Sequence, residues 1–394
     1  MMKLRKTLYF VLCFMVSVCT LSGCIEEYEA DISADDSNLL VVEGAICSKQ
    51  NRFYLSRTQA INSSYVPKVV SEAKVIVRGS DGSEYAAQYD GEYYSCWIEA
   101  LASDVEYYLH IEVDGEVYES EPQKPIPTEK IAEVNAVQDT PESNIDVLVT
   151  PEAPLNPNQE NYYSWSFDET WEVHPDYTTY IYFDPLTLTA VYDPNQFPER
   201  GWLYARASSI LVGESQNYAG NHIEKFKLYD ISRSSERVFH KYSGLVHQRA
   251  ISKDEYEYEL ARRQAVSEMG GLFTPQPSAL PTNIHCLTSG KHVIGYVGCS
   301  LNTAEYRFFL RAHELSIDRP YQKDSRTWID DCNEATCLLM LERGLFLCEW
   351  NDDRMIPGGT LRTAWATQYQ LDVRLRGASV EEPEYWHLNE SISY

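Results

Sequence analysis

The chain has 394 residues, with 33 Lys and Arg against 59 Asp and Glu, so its formal net charge is −26. A surface this acidic repels phosphates and anionic headgroups, which argues against nucleic acid as a partner. The length allows two or three domains. The 29 Tyr, 12 Phe and 8 Trp favour strands, and we expect a mostly β fold.

The first residues have the pattern of a bacterial lipoprotein signal peptide. Three basic residues precede an apolar run over 8–21, and the segment ends at Gly23 and Cys24. A run of about 14 residues is too short for a permanent membrane span. We therefore expect removal of residues 1–23 and fatty acylation of Cys24, because two or more acyl chains give stable anchoring.

Acidic residues follow the predicted lipid anchor directly. Glu26 and Glu27 resemble the export signal that sends lipoproteins to the outer face of the outer membrane. The alternative is that residues 24–37 are only an acidic tether, and then the protein could face the periplasm. Loss of residues 1–23 removes three basic residues and no acid, which leaves 30 basic and 59 acidic residues.

Residues 38–127 have the pattern of an immunoglobulin-like or fibronectin-like sandwich. Asp90-Gly91 and Asp114-Gly115 are strong hairpin signals between short strand patterns. Pro122, Pro125 and Pro127 cannot continue a central strand, so we place the domain boundary there. The seven predicted strands are Leu39–Ile46, Arg52–Thr58, Ala73–Val77, Glu84–Gln88, Glu92–Ile98, Val105–Val113 and Val117–Ser120.

Residues 128–394 are predicted to form a larger β-rich domain with one helix. Aromatic residues alternate with polar ones over 162–171, which predicts a long amphipathic strand with a buried aromatic face. Ser252 and Glu255 form a capping-box pattern at the start of a helix over about 252–268. This helix is expected to end at Gly270.

The loops after the aromatic strand are rich in large side chains. Tyr192, Phe197, Trp202 and Tyr204 lie close together in the chain. If they are exposed, they could contact a ligand or partner, because such residues are common in binding hot spots. The alternative is that they pack beneath the loops.

Seven cysteines remain after Cys24, so at least one must be unpaired. Cys286 and Cys299 flank a predicted hairpin of Asn283–Leu287 and Val293–Gly298, and they could form a disulfide across it. The spacing of Cys332 and Cys337 is compatible with a disulfide, a metal site or simple packing.

Several short motifs follow one another along the chain. They are the lipobox, Val41-Val42-Glu43-Gly44, Leu55-Ser56-Arg57-Thr58, Ala73-x-Val75-x-Val77, Gly91-x-Tyr93, Ile251-Ser252, Gly270-Gly271-Leu272-Phe273, Asn283-Ile284 and Gly295-Tyr296. Their order resembles a family of Bacteroidota lipoproteins, domain of unknown function 4249. The resemblance implies an outer-membrane lipoprotein without catalytic residues, with an accessory role beside a TonB-dependent transporter in nutrient uptake.

No catalytic signature is present in the sequence. GxSxG, HExxH, P-loop and GxGxxG patterns are all absent. We therefore expect no enzyme activity, cofactor or metal, and a surface lipoprotein that binds a ligand or docks on a transporter. The alternatives are a cell-surface hydrolase acting on a glycan or peptide, whose carboxylates need no sequence motif, and a structural envelope component.

Overall fold

The computed structural model describes residues 38–59, 68–154, 156–207, 209–267, 280–388 and 392–393. The predicted signal peptide and tether, with Cys24, Glu26 and Glu27, lie outside these ranges. Strands dominate the described residues, among which there are three α-helices. The predicted mostly β fold class is confirmed.

The first unit contains all seven predicted strands. Both Asp-Gly turns connect antiparallel neighbours. Asp114 and Gly115 have φ values of 53° and 78°, and positive values at both central residues suit a tight hairpin. The strands are β1 (Leu40–Glu43), β2 (Ala45–Ile46), β3 (Lys49–Arg57), β4 (Lys68–Val69), β5 (Lys74–Gly79), β6 (Glu84–Tyr89), β7 (Tyr94–Ile98), β8 (Tyr107–Val113) and β9 (Glu116–Ser120).

Three strands from much later in the chain complete this unit. β19 (Ile284–Cys286) pairs with β9, β20 (Val293–Gly295) runs parallel to β1, and β21 (Gly298–Cys299) runs parallel to β2. The predicted hairpin around Cys286 and Cys299 is therefore wrong. Ten strands form one sheet: nine follow the order β19-β9-β8-β5-β6-β7-β3-β1-β20, and β4 pairs with β3. Their apolar side chains share one core, so residues 38–127 do not build this unit alone.

Two sheets pack face to face in the second unit. The aromatic face of β12 lies in the core between them, where Trp165 stacks on Phe226 at 4.7 Å and Phe167 stacks on Tyr229 at 3.8 Å. One sheet is β10 (Ile131–Val137), β11 (Ile145–Pro151) and β17 (Phe226–Ile231). The other is β15 (Gly201–Arg206), β12 (Tyr162–Val173), β18 (Lys241–Ile251), β22 (Ala304–Arg311) and β26 (Ile392–Ser393), with β16 (Leu211–Glu214) also on β12.

The predicted helix is present as α1 (Lys253–Ser267). The Ser252 hydroxyl accepts a hydrogen bond from the Glu255 backbone N–H at 3.1 Å. The Glu255 carboxylate does not return to the cap but pairs with Arg249 on β18. Gly298 on β21 lies against this carboxylate, and a Cβ at residue 298 would meet Glu255 Oε2 at 1.9 Å. The predicted end of the helix at Gly270 lies outside the described residues.

A third group of elements packs beside the six-stranded sheet. Phe183, Met340, Leu347 and Trp365 lie in its core. The elements are β13 (Ile181–Asp184), β14 (Thr189–Tyr192), β23 (Thr327–Ile329), α2 (Glu334–Glu342), β24 (Leu345–Asp352), β25 (Leu361–Thr367) and α3 (Gln368–Leu371). Helices α2 and α3 add to the single helix that the sequence predicts. In the described part of the chain, no helix combines the length and the apolar character that crossing a membrane requires.

Candidate functional site

A cleft separates the first sheet from the outer, polar face of the six-stranded sheet. It consists of two adjoining pockets of about 780 and 870 Å³, which share Arg52, Asp168 and Arg206. We call it the inter-sheet cleft. One wall is formed by β3 and the turn that contains Tyr93, and the other by β12, β15, β18 and β22. Strand alternation explains the polar wall, because Asp168 lies on the face of β12 opposite the aromatic core.

Four charged side chains form a row across this wall. They lie on four neighbouring strands, in the order Arg206, Asp168, His247, Glu305. Asp168 accepts a hydrogen bond from Arg206 Nε at 2.8 Å and contacts His247 Nε2 at 3.2 Å. His247 Nδ1 lies 3.0 Å from Glu305 Oε1. Register places these side chains together, since Arg206 lies opposite Asp168 and His247 lies opposite Glu305.

The row holds its members in their charged forms. Burial alone would lower the pKa of His247, but hydrogen bonds to Asp168 and Glu305 outweigh burial and raise it to about 9. Burial likewise opposes ionisation of Asp168, yet its bonds to His247 and Arg206 keep its pKa well below its usual range. The hydrogen bond to His247 also lowers the pKa of Glu305. At neutral pH both ring nitrogens of His247 therefore donate.

Tyrosine side chains line the end of the cleft nearest the turn between β6 and β7. Tyr93 comes from that turn, Tyr204 from β15 and Tyr385 from a short 3-10 turn near the C-terminal end. Arg52, Arg206 and Arg307 lie among them. This end can therefore offer aromatic faces, hydroxyls and guanidinium groups to a polar ligand.

The four predicted contact residues divide into two pairs. Tyr204 lines the cleft and is 53% exposed, and Tyr192 is 71% exposed at the end of β14. Phe197 and Trp202 are buried, so a contact role does not fit them. Phe197 packs edge-on against Phe346 at 5.2 Å, and Trp202 packs edge-on against Trp386 at 6.3 Å.

The seven cysteines beyond Cys24 are all free thiols. The Sγ atoms of Cys332 and Cys337 lie 3.0 Å apart in the third core, and a disulfide between them stays a prediction. Cys286 contacts the Ser289 hydroxyl at 3.1 Å. Cys286 and Cys299 lie on strands with different partners, which removes the sequence argument for joining them.

One cluster outside the inter-sheet cleft consists of residue types that can bind a metal ion. The donor atoms of Glu172, His174 and His240 all lie within 4.8 Å of one another. The rings of His174 and His240 stack at 3.7 Å with an angle of 8°. Burial and, to a smaller extent, the charges of His174 and Arg319 together lower the pKa of His240 to about 4. His240 is therefore neutral at pH 7.

Of the residues that line the inter-sheet cleft, the sequence predicted a contact role only for Tyr204. The charged row joins residues up to 137 positions apart, from Asp168 to Glu305, and no local pattern connects them. A partial signal was present in the polar alternation of Ser164, Ser166 and Asp168 along the predicted aromatic strand. That pattern predicts that one side of the strand is polar, but only the sheet register shows which residues lie beside it.

Comparison with known proteins matches the chain to one protein family. Residues 25–305, which are more than two thirds of the chain, match the family described as "Domain of unknown function (DUF4249)". No curated protein matches the chain. The matched range includes every residue of the charged row and ends before Tyr385. The chain therefore belongs to the DUF4249 family, as its order of short motifs predicts.

Proposed function

We propose that this protein is a lipid-anchored, non-enzymatic binding protein that captures a small polar ligand in the inter-sheet cleft. The cleft carries this proposal because it is the place where charged side chains from four strands face open space. Ligand sites typically combine a preformed concave surface of this volume with a few fixed polar groups.

The lining favours an uncharged ligand with many hydroxyls, such as an oligosaccharide. Paired guanidinium and carboxylate groups, as in Arg206 and Asp168, donate and accept hydrogen bonds side by side. Neighbouring hydroxyls of a sugar can accept a hydrogen bond from the guanidinium and donate one to the carboxylate. Tyr93, Tyr204 and Tyr385 add flat surfaces against which a sugar ring can pack. A strongly anionic ligand would meet Asp90, Glu92 and Glu305 on the same walls.

The ionisation of the two carboxyls in the charged row, Asp168 and Glu305, supports binding rather than glycan hydrolysis. A glycosidase needs one carboxylic acid with a raised pKa to protonate the leaving oxygen. The pKa values of Asp168 and Glu305 are both lowered by their bonds to His247. Neither is suited to act as that acid.

The proposed anchor rests on the sequence. Acylation at Cys24, with Glu26 and Glu27 as the export signal, would hold the protein on the outer face of the outer membrane, and the family match begins at residue 25. We expect Cys24→Ser to move the chain from the membrane fraction to the soluble fraction. Retention of this variant in the membrane fraction would contradict the anchor.

Exposed apolar side chains support docking on a membrane partner, which we propose to be a TonB-dependent transporter. Leu186, Met355 and Ile356 are 92%, 97% and 60% exposed in loops of the third group of elements. Recovery of a β-barrel transporter with the full chain, and loss of that recovery in Met355→Ser/Ile356→Ser, would support docking. An equal recovery with both chains would contradict docking through these loops.

The binding proposal is tested by titration calorimetry with neutral α-glucan, β-glucan, xylan and mannan oligosaccharides. Arg206→Gln should weaken the binding of the ligand that is found by roughly tenfold or more, because a charged hydrogen bond is lost. Arg354→Gln is the matched control, since Arg354 also pairs with an aspartate, Asp352, but lies outside the cleft. Equal binding by both variants would overturn the cleft as the site. Turnover of any oligosaccharide would overturn the non-enzymatic proposal.

A further inference from the structure

The end of the six-stranded sheet brings two histidines and a glutamate together. Glu172 is near the end of β12 and His174 follows it, so strand alternation points both side chains to one face. His240 directly precedes β18, which pairs with β12 through Trp171 and Tyr242. His240 lies just beyond the end of this ladder, where its ring stacks on that of His174, although 65 residues of chain lie between the two histidines.

The donor atoms lie close enough together to reach one metal ion after side-chain rotation. Glu172 Oε1 lies 2.7 Å from His174 Nε2. The two imidazole rings are stacked nearly parallel, and one of them must turn so that both direct a nitrogen at the same ion. In a tetrahedral site with bonds of 2.0–2.1 Å, neighbouring donor atoms are about 3.3 Å apart. The three donors here lie within 4.8 Å of one another, so this rotation can bring them to that spacing.

We propose that Glu172, His174 and His240 bind a divalent transition-metal ion of the Zn²⁺ type. Two imidazoles and one carboxylate form a donor set that suits Zn²⁺ and Co²⁺, whereas Ca²⁺ and Mg²⁺ prefer oxygen donors only. The site lies outside the inter-sheet cleft, and it does not depend on the proposed ligand binding.

The surroundings fit a metal ligand set in two ways. Glu172 Oε2 accepts a hydrogen bond from the indole N–H of Trp386 at 3.2 Å, which fixes the carboxylate as outer-shell partners of metal ligands do. The nearby Arg376 has carboxylate partners of its own, with Asp176 at 3.4 Å and Glu236 at 3.7 Å. Its charge is therefore partly neutralised before a cation arrives.

Three protein ligands leave a fourth position for water or an external group. His174 and His240 line a pocket of about 510 Å³ together with Tyr321 and Arg319. The open position would face this pocket. A site with this geometry can hold an exchangeable ligand on the metal, which a closed structural site with four protein ligands cannot.

Titration of the purified full chain with Co²⁺ tests the proposal. We expect one equivalent to bind with the visible absorption of tetrahedral cobalt, and Zn²⁺ to displace it. His174→Ala and His240→Ala should each weaken binding by roughly 100-fold or more, because loss of an outer-shell partner alone typically costs 10- to 100-fold. His285→Ala and His313→Ala are matched controls, since both residues lie outside the cluster and should bind as the parent chain does.

A second measurement needs no variant and therefore does not depend on variant folding. Zn²⁺ should protect His174 and His240 of the unaltered chain from acylation by diethyl pyrocarbonate, whereas the exposed His313 should react equally with and without the metal. Absence of cobalt absorption, unchanged Co²⁺ affinity in folded His174→Ala and His240→Ala, or lack of protection would overturn the proposal.

Discussion

The guanidinium carbon of Arg307 lies 3.6 Å from the centre of the Tyr385 ring. Arg307 is buried on β22 and donates a hydrogen bond to the Ser243 hydroxyl at 3.1 Å. The Tyr385 hydroxyl lies 2.9 Å from Thr170 Oγ1 on β12. The C-terminal segment is thereby attached to two strands of the six-stranded sheet, and it supplies a cleft residue that the family match does not include.

Tyr385→Ala should lower the free energy of unfolding by about 2 kcal/mol, because a partly buried cation–π contact and a hydrogen bond are both lost. Tyr385→Phe keeps the ring over Arg307 and should lower it by only about 1 kcal/mol. Urea unfolding measures the free energy of unfolding of both variants. An equal loss in the two variants would mean that the ring contact contributes nothing.

Stability should depend on the ionisation of His247. Its pKa in the folded protein is about 9, above the ordinary value of 6.5, so its contribution is complete below pH 6.5 and is lost as pH rises through 9. The loss should be about 1–3 kcal/mol, since each pKa unit corresponds to about 1.4 kcal/mol.

Urea unfolding at a series of pH values checks this dependence. His247→Gln should remove the decrease between neutral and alkaline pH, whereas His313→Gln, at an exposed residue, should retain it. The same pH dependence in the His247→Gln variant would show that other groups cause it.

Replacement by alanine should destabilise the protein strongly at Trp202 and very little at Tyr192. Trp202 is 2% exposed, and Trp202→Ala should cost about 3–5 kcal/mol through lost burial and a cavity. Tyr192→Ala should change stability by less than about 0.5 kcal/mol because its side chain is in solvent. Unfolding free energies test the pair, and a small effect of Trp202→Ala would contradict its core position.

Gly298→Ala should lower stability by about 1–3 kcal/mol, because the added methyl group collides with the Glu255 carboxylate. The same change in a Glu255→Ala chain should cost much less, since the methyl group then has space. A double-mutant cycle isolates this interaction from the separate cost of leaving Arg249 unpaired. Additive effects would show that the collision is relieved elsewhere.

Oxidation should join Cys332 to Cys337, whose sulfur atoms already lie close together. Because the enclosed loop is short, the bond should add only about 2 kcal/mol to stability. Alkylation under non-reducing conditions followed by mass spectrometry should leave this pair unmodified after oxidation. Cys299, in the first core, should become alkylated on denaturation. Alkylation of both Cys332 and Cys337 after oxidation would contradict the bond.

Local sequence patterns predicted the strands and the helix that are determined by residues close together in the chain. The alternation along β12 and the capping pattern of α1 were sufficient to place both. Sequence could not predict the pairing of β20 with β1, because contacts between residues about 250 positions apart leave no periodic signal. Helix α2 was missed because Leu338 and Leu339 are partly exposed while Cys337 and Met340 are buried, so its apolar run shows no single stripe.

The pairing of β1 with β20 has a consequence for how the protein acquires its structure. Val41 is among the first described residues, yet its neighbour Ile294 leaves the ribosome only after another 252 residues. Until then one edge of β1 has no partner and can associate with other chains. The N-terminal unit therefore stays incomplete until β19, β20 and β21 have been synthesised.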